Sequence, residues 1–458
     1  MIPKSSDSAC SLNSLTCAPA QAPCIAAASS LAPSVAAAAV VAAPVIAAAV
    51  VALHVTFYGT ACAAEPTLVV PAVDVPLRIA LPLPPALKYK PGQPVQLEEP
   101  AAASQPIAAQ LAPAIADDGT VDSGGAMLLA VIPPVQATSA AQSADKLSRR
   151  FVLRSAPARS SQQADFALED LNDKSLKLSY RGKPVMVYNH GLITNPRVPA
   201  SDHRRSRACY VHPLWGLSGE ELTDDFPPDH YHHHGIFWTW PHVGIEGKQH
   251  DLWAGNTIFQ RLVKWLDRQT GSTAAVLGVE NGWFVGQEKV MIERVWFCCY
   301  ADAEDSRVLD LNFTFIPTEK PVTLWGAEGK SYGGLTVRFK PGPRKHTLIT
   351  VPSGPTTEDL PDTRLQWADF TSLFAGASQR SGAAIFIHPQ HPDYPPTWLT
   401  RYYGPLCVGW PGVNPKTFPP GKPIRLLYRI WIHRTEVDLD RLRNQYQAYV
   451  AGTQARWE

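Results

Sequence analysis

No C-x-x-C pair occurs among the eight cysteines, neither sign of charge predominates, and no tryptophan appears before Trp215. The first absence excludes a zinc ribbon and a thioredoxin-like redox pair. With 41 basic and 40 acidic residues the chain is almost neutral, so it lacks the electrostatic footprint that neutralises phosphates or docks on anionic lipid. Nucleic acid is therefore not an expected partner. All 13 tryptophans lie at or after Trp215 and 13 of the 14 histidines at or after His190, so the chemistry is expected in the C-terminal two thirds.

The 458 residues suffice for two or three domains, and 45% of them are apolar. From Leu31 to Tyr58 the chain is almost wholly Ala, Val, Ile, Pro and Leu, followed by small residues in A-x-A spacing at Ala61-Cys62-Ala63. This reads as a secretory leader over residues 1–64 and implies a periplasmic or secreted protein. Thr60-Ala61-Cys62 also matches the end of a lipoprotein cleavage box, with Gly59 where leucine is wanted, and the run is long enough for a single membrane anchor interrupted by Pro44. Export would permit a disulfide such as Cys209 with Cys407, one of three connectivities among the four later cysteines.

Residues 66–157 carry short apolar stretches between prolines ("TLVVPAVDVPLRIALPL", "GAMLLAVIPP", "RRFVLRS") and read as a small β-domain or a Pro-rich linker. Residues 162–436 show period-two alternation. In "RVLDLNFTF", Leu309, Leu311, Phe313 and Phe315 share one face and Asp310, Asn312 and Thr314 the other. So many strands, with no repeat of propeller length, predict an all-β fold, a large two-sheet sandwich. Residues 437–458 read as a helix on the outside of the sheets, with Leu439, Leu442, Tyr446 and Tyr449 on one face, Asp438 at its start and Gly452 at its end.

The densest chemistry is "DFPPDHYHHHGIFWTW", residues 225–240, after a long irregular stretch. In an extended chain His230, His232 and His234 share one face with Ile236 and Trp238, while Asp229 and His233 share the other. Imidazoles on one face suit either a divalent metal, with His230 and His232 as ligands, or acid/base catalysis in which Asp229 orients or charges a neighbouring ring. The cupin spacing fails, because the next acid is Glu246. Glu293 on an apolar strand face, His388 ending "AAIFIHP", and Trp398 with Arg401 and Tyr402 in "TWLTRYYG" add further candidates; aromatics beside an arginine suit a carbohydrate ligand. His433 reads as structural.

"CYVHPL", "TDDFPPDHYHHHGIFW", "YGGLTVRF", "IFIHP" and "LLYRIWIHR", in that order, resemble a bacterial family of unknown function often labelled "methane oxygenase PmoA". Its pattern D-H-x-H-H-R-G maps onto Asp229, His230, His232 and His233, with His234 where an arginine is usual, so the fourth histidine reads as incidental. The label conflicts with the sequence, since a membrane methane monooxygenase subunit is a multi-span helical copper protein and this chain offers at most one apolar span. The resemblance implies an exported protein with a galactose-mutarotase-like supersandwich, a fold whose members bind sugars in a histidine-rich cleft.

Three readings follow. The first is a carbohydrate epimerase, lyase or hydrolase without a required cofactor, with His212, His232, His233 and Glu293 as acid/base groups. Asp229, His230, Trp238, His388, Trp398 and Arg401 would then hold a glycan or other small molecule. The second is a metalloenzyme using His230, His232 and one distant ligand such as His212 or His388. The third is a non-catalytic glycan-binding sandwich.

Overall fold

Alternation along Ser306–Pro317 is carried directly into the structure: Leu309, Leu311, Phe313 and Phe315 are all buried in one core. The computed structural model describes residues 65–100, 105–135, 148–157 and 165–458. The leader expected over 1–64, with its cleavage patterns and four cysteines, lies outside the described residues.

Two nine-stranded antiparallel sheets face each other. One, here the site sheet, runs in the order Leu360–Arg364, Thr397–Thr400, Pro405–Gly409, Gly334–Arg338, Ile236–Thr239, Tyr210–Leu214, Lys183–Asn189, Ser175–Tyr180 and Phe166–Asn172. The other, the middle sheet, begins with a four-strand meander through Phe259–Thr270, Ala274–Val285, Glu288–Ala303 and Ser306–Pro317, then continues with Ile424–His433 and Ser381–Ile387. Side chains alternate across a strand, so each sheet sends half of its residues inward. Trp238 of the site sheet meets Phe297 and Phe313 of the middle sheet at ring-centroid distances of 6.2 and 4.9 Å, and Tyr188 meets Phe297 at 5.4 Å. The chain thus forms the large all-β sandwich that its alternation predicts.

The polar face of the middle sheet is also covered. Residues 67–155 form six strands, completed to seven by Arg456–Trp457, which pairs with Thr67–Pro71. This terminal sheet has its own core, including Leu68, Ile79, Leu111 and Phe151. A further cluster joins its Ala112 and Leu129 to Val276, Trp296 and Tyr300 of the middle sheet.

The helix Leu439–Gly452 does not simply lie outside the sheets; it is wedged between these layers. Asp438 caps it by accepting from the Arg441 backbone N–H at 2.7 Å. Leu442, Tyr446 and Tyr449 pack with the middle sheet, and Ala448 belongs to the core of the terminal sheet. Gly452 is still helical, and Thr453 caps the end. A Cβ at Gly452 would stand 3.0 Å from the carbonyl oxygen of Arg78, so this glycine permits close contact between helix and terminal sheet.

Candidate functional site

The histidine block is not extended. Pro227 and Pro228 restrict the backbone just ahead of it, and two turns follow: the His230 N–H donates to the Pro227 carbonyl and the His233 N–H to the His230 carbonyl, both at 2.9 Å. Turn geometry therefore replaces the expected alternation and brings residues three apart together. The rings of His230 and His233 stack at 4.6 Å and 7°, and His232 stands edge-on to both, at 5.6 and 4.8 Å. The strand begins only at Ile236. Gly235 joins turn to strand because a Cβ there would lie 2.1 Å from the Val211 carbonyl oxygen. Phe226 takes a left-handed φ of 50°, a conformation that costs a non-glycine residue energy, and its N–H pairs with the His233 carbonyl.

Strand neighbours complete the cluster on the side of the site sheet away from the main core. In Gly334–Arg338, Leu335 and Val337 point into that core, which leaves Thr336 and Arg338 on the outer side. Arg338 is 4% exposed, and its Nη2 lies 3.3 Å from Asp229 Oδ1. Its guanidinium carbon is 4.9 Å from the ring centroid of Tyr403, and Tyr403 stacks on His230 at 5.3 Å and 10°. Asp229, His230 and Tyr403 form the accessible rim, while His233 is buried beneath them. Trp253 closes the side, 5.8 Å from His233.

Electrostatics separates these imidazoles. Burial lowers His232 to about 3, with the neighbouring His230 adding to the effect. Burial and His232 push His233 lower still. Both are neutral at physiological pH. The Nδ1 atoms of His230, His232 and His233 are all buried and none makes a well-aligned hydrogen bond, although Asp229 Oδ2 lies 3.0 Å from that of His230. Burial alone would raise Asp229, but His230 and Arg338 outweigh it and hold this carboxyl below its ordinary value.

A second group lies below. His234 Nδ1 is 2.7 Å from Asp225 Oδ1, and the Tyr210 hydroxyl donates to Asp225 Oδ2 at 2.9 Å. Burial lowers His234 well below the ordinary imidazole value and raises Asp225 to about 6. His234, read from sequence as incidental, is thus a fully enclosed member of a hydrogen-bonded chain. His212 occupies a β-bulge between Val211 and Leu214 and directs Nδ1 to Thr223 Oγ1 at 3.1 Å; burial lowers it to about 4. Its strand, Tyr210–Leu214, corrects the expectation that the whole stretch before the histidine block is irregular.

Several expected residues do not join the cluster. Glu293 is 0% exposed in the inter-sheet core, where Asn281 Nδ2 donates to one carboxylate oxygen at 2.7 Å while Gln260 Nε2 and Trp283 Nε1 donate to the other at 2.7 and 2.6 Å. Asn281 also bonds Tyr188 of the opposite sheet, so Glu293 is a structural tie between the sheets. Trp238 and Trp398 are core residues; the indole N–H of Trp398 donates to the Leu365 carbonyl at 2.8 Å. Arg401 is paired with Asp359 at 3.0 Å. His388 packs on Tyr449 of the helix, next to the terminal sheet. His433 is structural as read, with Nε2 2.9 Å from Asp369 in a fully buried pair. Cys209 and Cys407 are both buried free thiols, so the permitted disulfide is not formed.

Sequence reading missed Arg338, Tyr403, Asp225, Tyr210 and Trp253. The signal for Arg338 was present in "GGLTVRF", where alternation places it opposite Leu335 and Val337. Among the described residues no three His, Cys, Asp or Glu side chains gather in a metal-ligating arrangement.

No curated protein matches the chain. Among solved structures, a galactose mutarotase related enzyme from Lactobacillus acidophilus is similar at 9% identity and a TM-score of 0.29, over 60% of this chain and 99% of that one. The model of a family of unknown function, DUF6807, matches residues 175–447. That match spans more than half of the sequence, from the early strands of the site sheet into the helix, and the chain belongs to this family of unknown function.

Proposed function

We propose that the outer face of the site sheet binds a carbohydrate and that the Asp229–His230 pair transfers a proton to or from it. The observation that carries this reading is the 3.0 Å contact of Asp229 with His230 at an accessible rim, backed by imidazoles held neutral. Neutral imidazoles both donate and accept hydrogen bonds, which suits a ligand rich in hydroxyls. Stacking of Tyr403, His230 and His233 fixes the rings, so their polar edges are preorganised for such a ligand.

Proton transfer favours a group that titrates near the working pH, which argues against His232 and His233, both pushed far below neutrality. We therefore assign them to binding, and assign proton transfer to His230 on its geometry, at the accessible rim and 3.0 Å from Asp229. Arg338 holds Asp229 ionised. The apolar run before residue 60 supports export, so the proposed substrate is an extracytoplasmic glycan or its breakdown product.

A glycan array followed by product analysis tests this reading. Asp229→Asn is expected to retain sugar binding and lose turnover, and His230→Ala, which also opens the aromatic stack, to weaken binding and lose turnover. Absence of any sugar ligand would overturn it, binding without turnover in the wild type would reduce the protein to a glycan-binding module, and turnover unchanged in both variants would place the proton transfer outside the Asp229–His230 pair.

A further inference from the structure

A cavity of about 370 Å³ lies between the terminal sheet, the middle sheet and the C-terminal helix, away from the histidine cluster. Three guanidiniums line it, those of Arg78, Arg425 and Arg429, against two carboxylates, Asp117 and Asp310. Arg429 is satisfied: its Nε and Nη2 donate to the two oxygens of Asp310 at 2.6 and 2.8 Å. Arg425 lies 3.9 Å from Asp117 near the surface.

Arg78 is different. It is 2% exposed, yet no described carboxylate lies within ion-pair distance of it, and its Nε has no hydrogen-bond partner among the described residues. Its two remaining bonds, to the Pro76 carbonyl and the Ser306 hydroxyl, are both long at 3.3 Å. Burial, with Arg429 nearby, lowers its pKa to about 10, so the side chain is still charged at neutral pH. Asp310 and Glu304 act on it only from beyond contact distance. An enclosed cation with no directly paired carboxylate is costly and is stabilised by an anion that fills the space beside it. On the sandwich side of the cavity, Asn312 Oδ1 is likewise buried without a partner, an acceptor for a hydroxyl. Burial lowers His388 to about 4, so it adds no charge there.

We propose that this cavity binds a small oxyanion that also carries hydroxyl groups, of monosaccharide size, with its carboxylate or phosphate on Arg78 and a hydroxyl on Asn312. The volume lies within the range of small-molecule sites. This inference is independent of the histidine cluster, since none of these residues belongs to it.

Calorimetric titration of the full chain with glucuronate, glucose 6-phosphate, inorganic phosphate and uncharged glucose tests it. Glucuronate or glucose 6-phosphate is expected to bind and glucose is not; the stronger of the two identifies carboxylate or phosphate as the recognised group. Arg78→Met should weaken that binding by about tenfold or more, the scale of a lost charge-assisted hydrogen bond. Without ligand the variant should melt no lower than the wild type, because it removes an unpaired buried charge. Failure of all three anions to bind at millimolar concentration, or affinity unchanged by Arg78→Met, overturns the proposal. Should Arg78→Met fail to fold, Asn312→Leu decides. It should weaken the hydroxylated anion while sparing inorganic phosphate, and an unchanged affinity for both overturns the assignment.

Discussion

Arg338 and Tyr403 meet face-on, guanidinium over phenol ring at 4.9 Å, although one ends a site-sheet strand and the other lies in the turn before the adjacent strand. The same guanidinium reaches Asp229, so one side chain locks the aromatic stack and the rim carboxylate together. Its Nε and Nη1 make no hydrogen bond among the described residues. Arg338→Met is expected to weaken sugar binding by about tenfold or more while changing the melting temperature little, since a buried charge is only partly compensated there. Calorimetry alongside thermal unfolding separates the two effects; a large loss of stability with affinity intact would make Arg338 purely structural.

Acid should destabilise the fold through its histidines. His212 and His232 are lowered to about 4 and about 3, and His233 further, against roughly 6.5 for an unfolded imidazole. Below about pH 6.5 the unfolded chain takes up protons that the native chain does not, so their contribution is complete above that pH and declines as pH falls toward the native values. Asp225, raised to about 6, works in the opposite direction between its unfolded value and 6 and offsets part of the effect. His234, His388 and His391 are lowered as well, while Asp224, Asp251, Asp267 and Glu293 are raised alongside Asp225. The imidazoles dominate above pH 5, so the urea midpoint should drop from pH 7 to pH 5 and the ring signals of His232 and His233 should not titrate over that interval. A midpoint that rises on acidification contradicts this assignment.

Glu293 tests whether a buried acid is there for chemistry or for architecture. Glu293→Ala leaves the donors of Gln260, Asn281 and Trp283 without an acceptor and should cost roughly 3–5 kcal/mol of stability. Under conditions where the variant is folded, sugar affinity should match the wild type. Glu293→Gln, which keeps one acceptor oxygen, should fall between the two in a denaturant titration.

Metal removal is informative because His230 and His232 stand at 85° to one another with centroids 5.6 Å apart. Protein purified without a histidine tag and treated with chelator is expected to keep its sugar binding and turnover. Stoichiometric metal lost together with activity would transfer these two rings from hydrogen bonding to ligation.

Much of the architecture was legible because alternation is a local property: the faces read from "RVLDLNFTF" are those the core uses. What covers the polar face was not legible, since the terminal sheet and the C-terminal helix come from opposite ends of the described chain. In the site, Asp229, His230, His232 and His233 do cluster, but through turns rather than along a strand face. Proline chemistry ahead of the block overrode the period-two pattern. Trp238 and Trp398 show the limit of residue type as a guide, because the same indoles that suit a sugar also suit a core. Arg338 and Tyr403 could be paired only by strand order, which depends on contacts far apart in sequence.

The pairing of Thr67 with Glu458, N–H to carbonyl in both directions at 2.8 and 2.9 Å, also sets an order of events in synthesis. Strands 67–155 leave the ribosome first, but the edge of their sheet is closed only by residues 456–457. Until then the strand Thr67–Pro71 presents unpaired backbone groups, an open template for another chain. Residues 456–458 thus act as a closing stitch made long after the strands they close, and a substitution that breaks this pairing bears first on how cleanly the nascent chain avoids its neighbours.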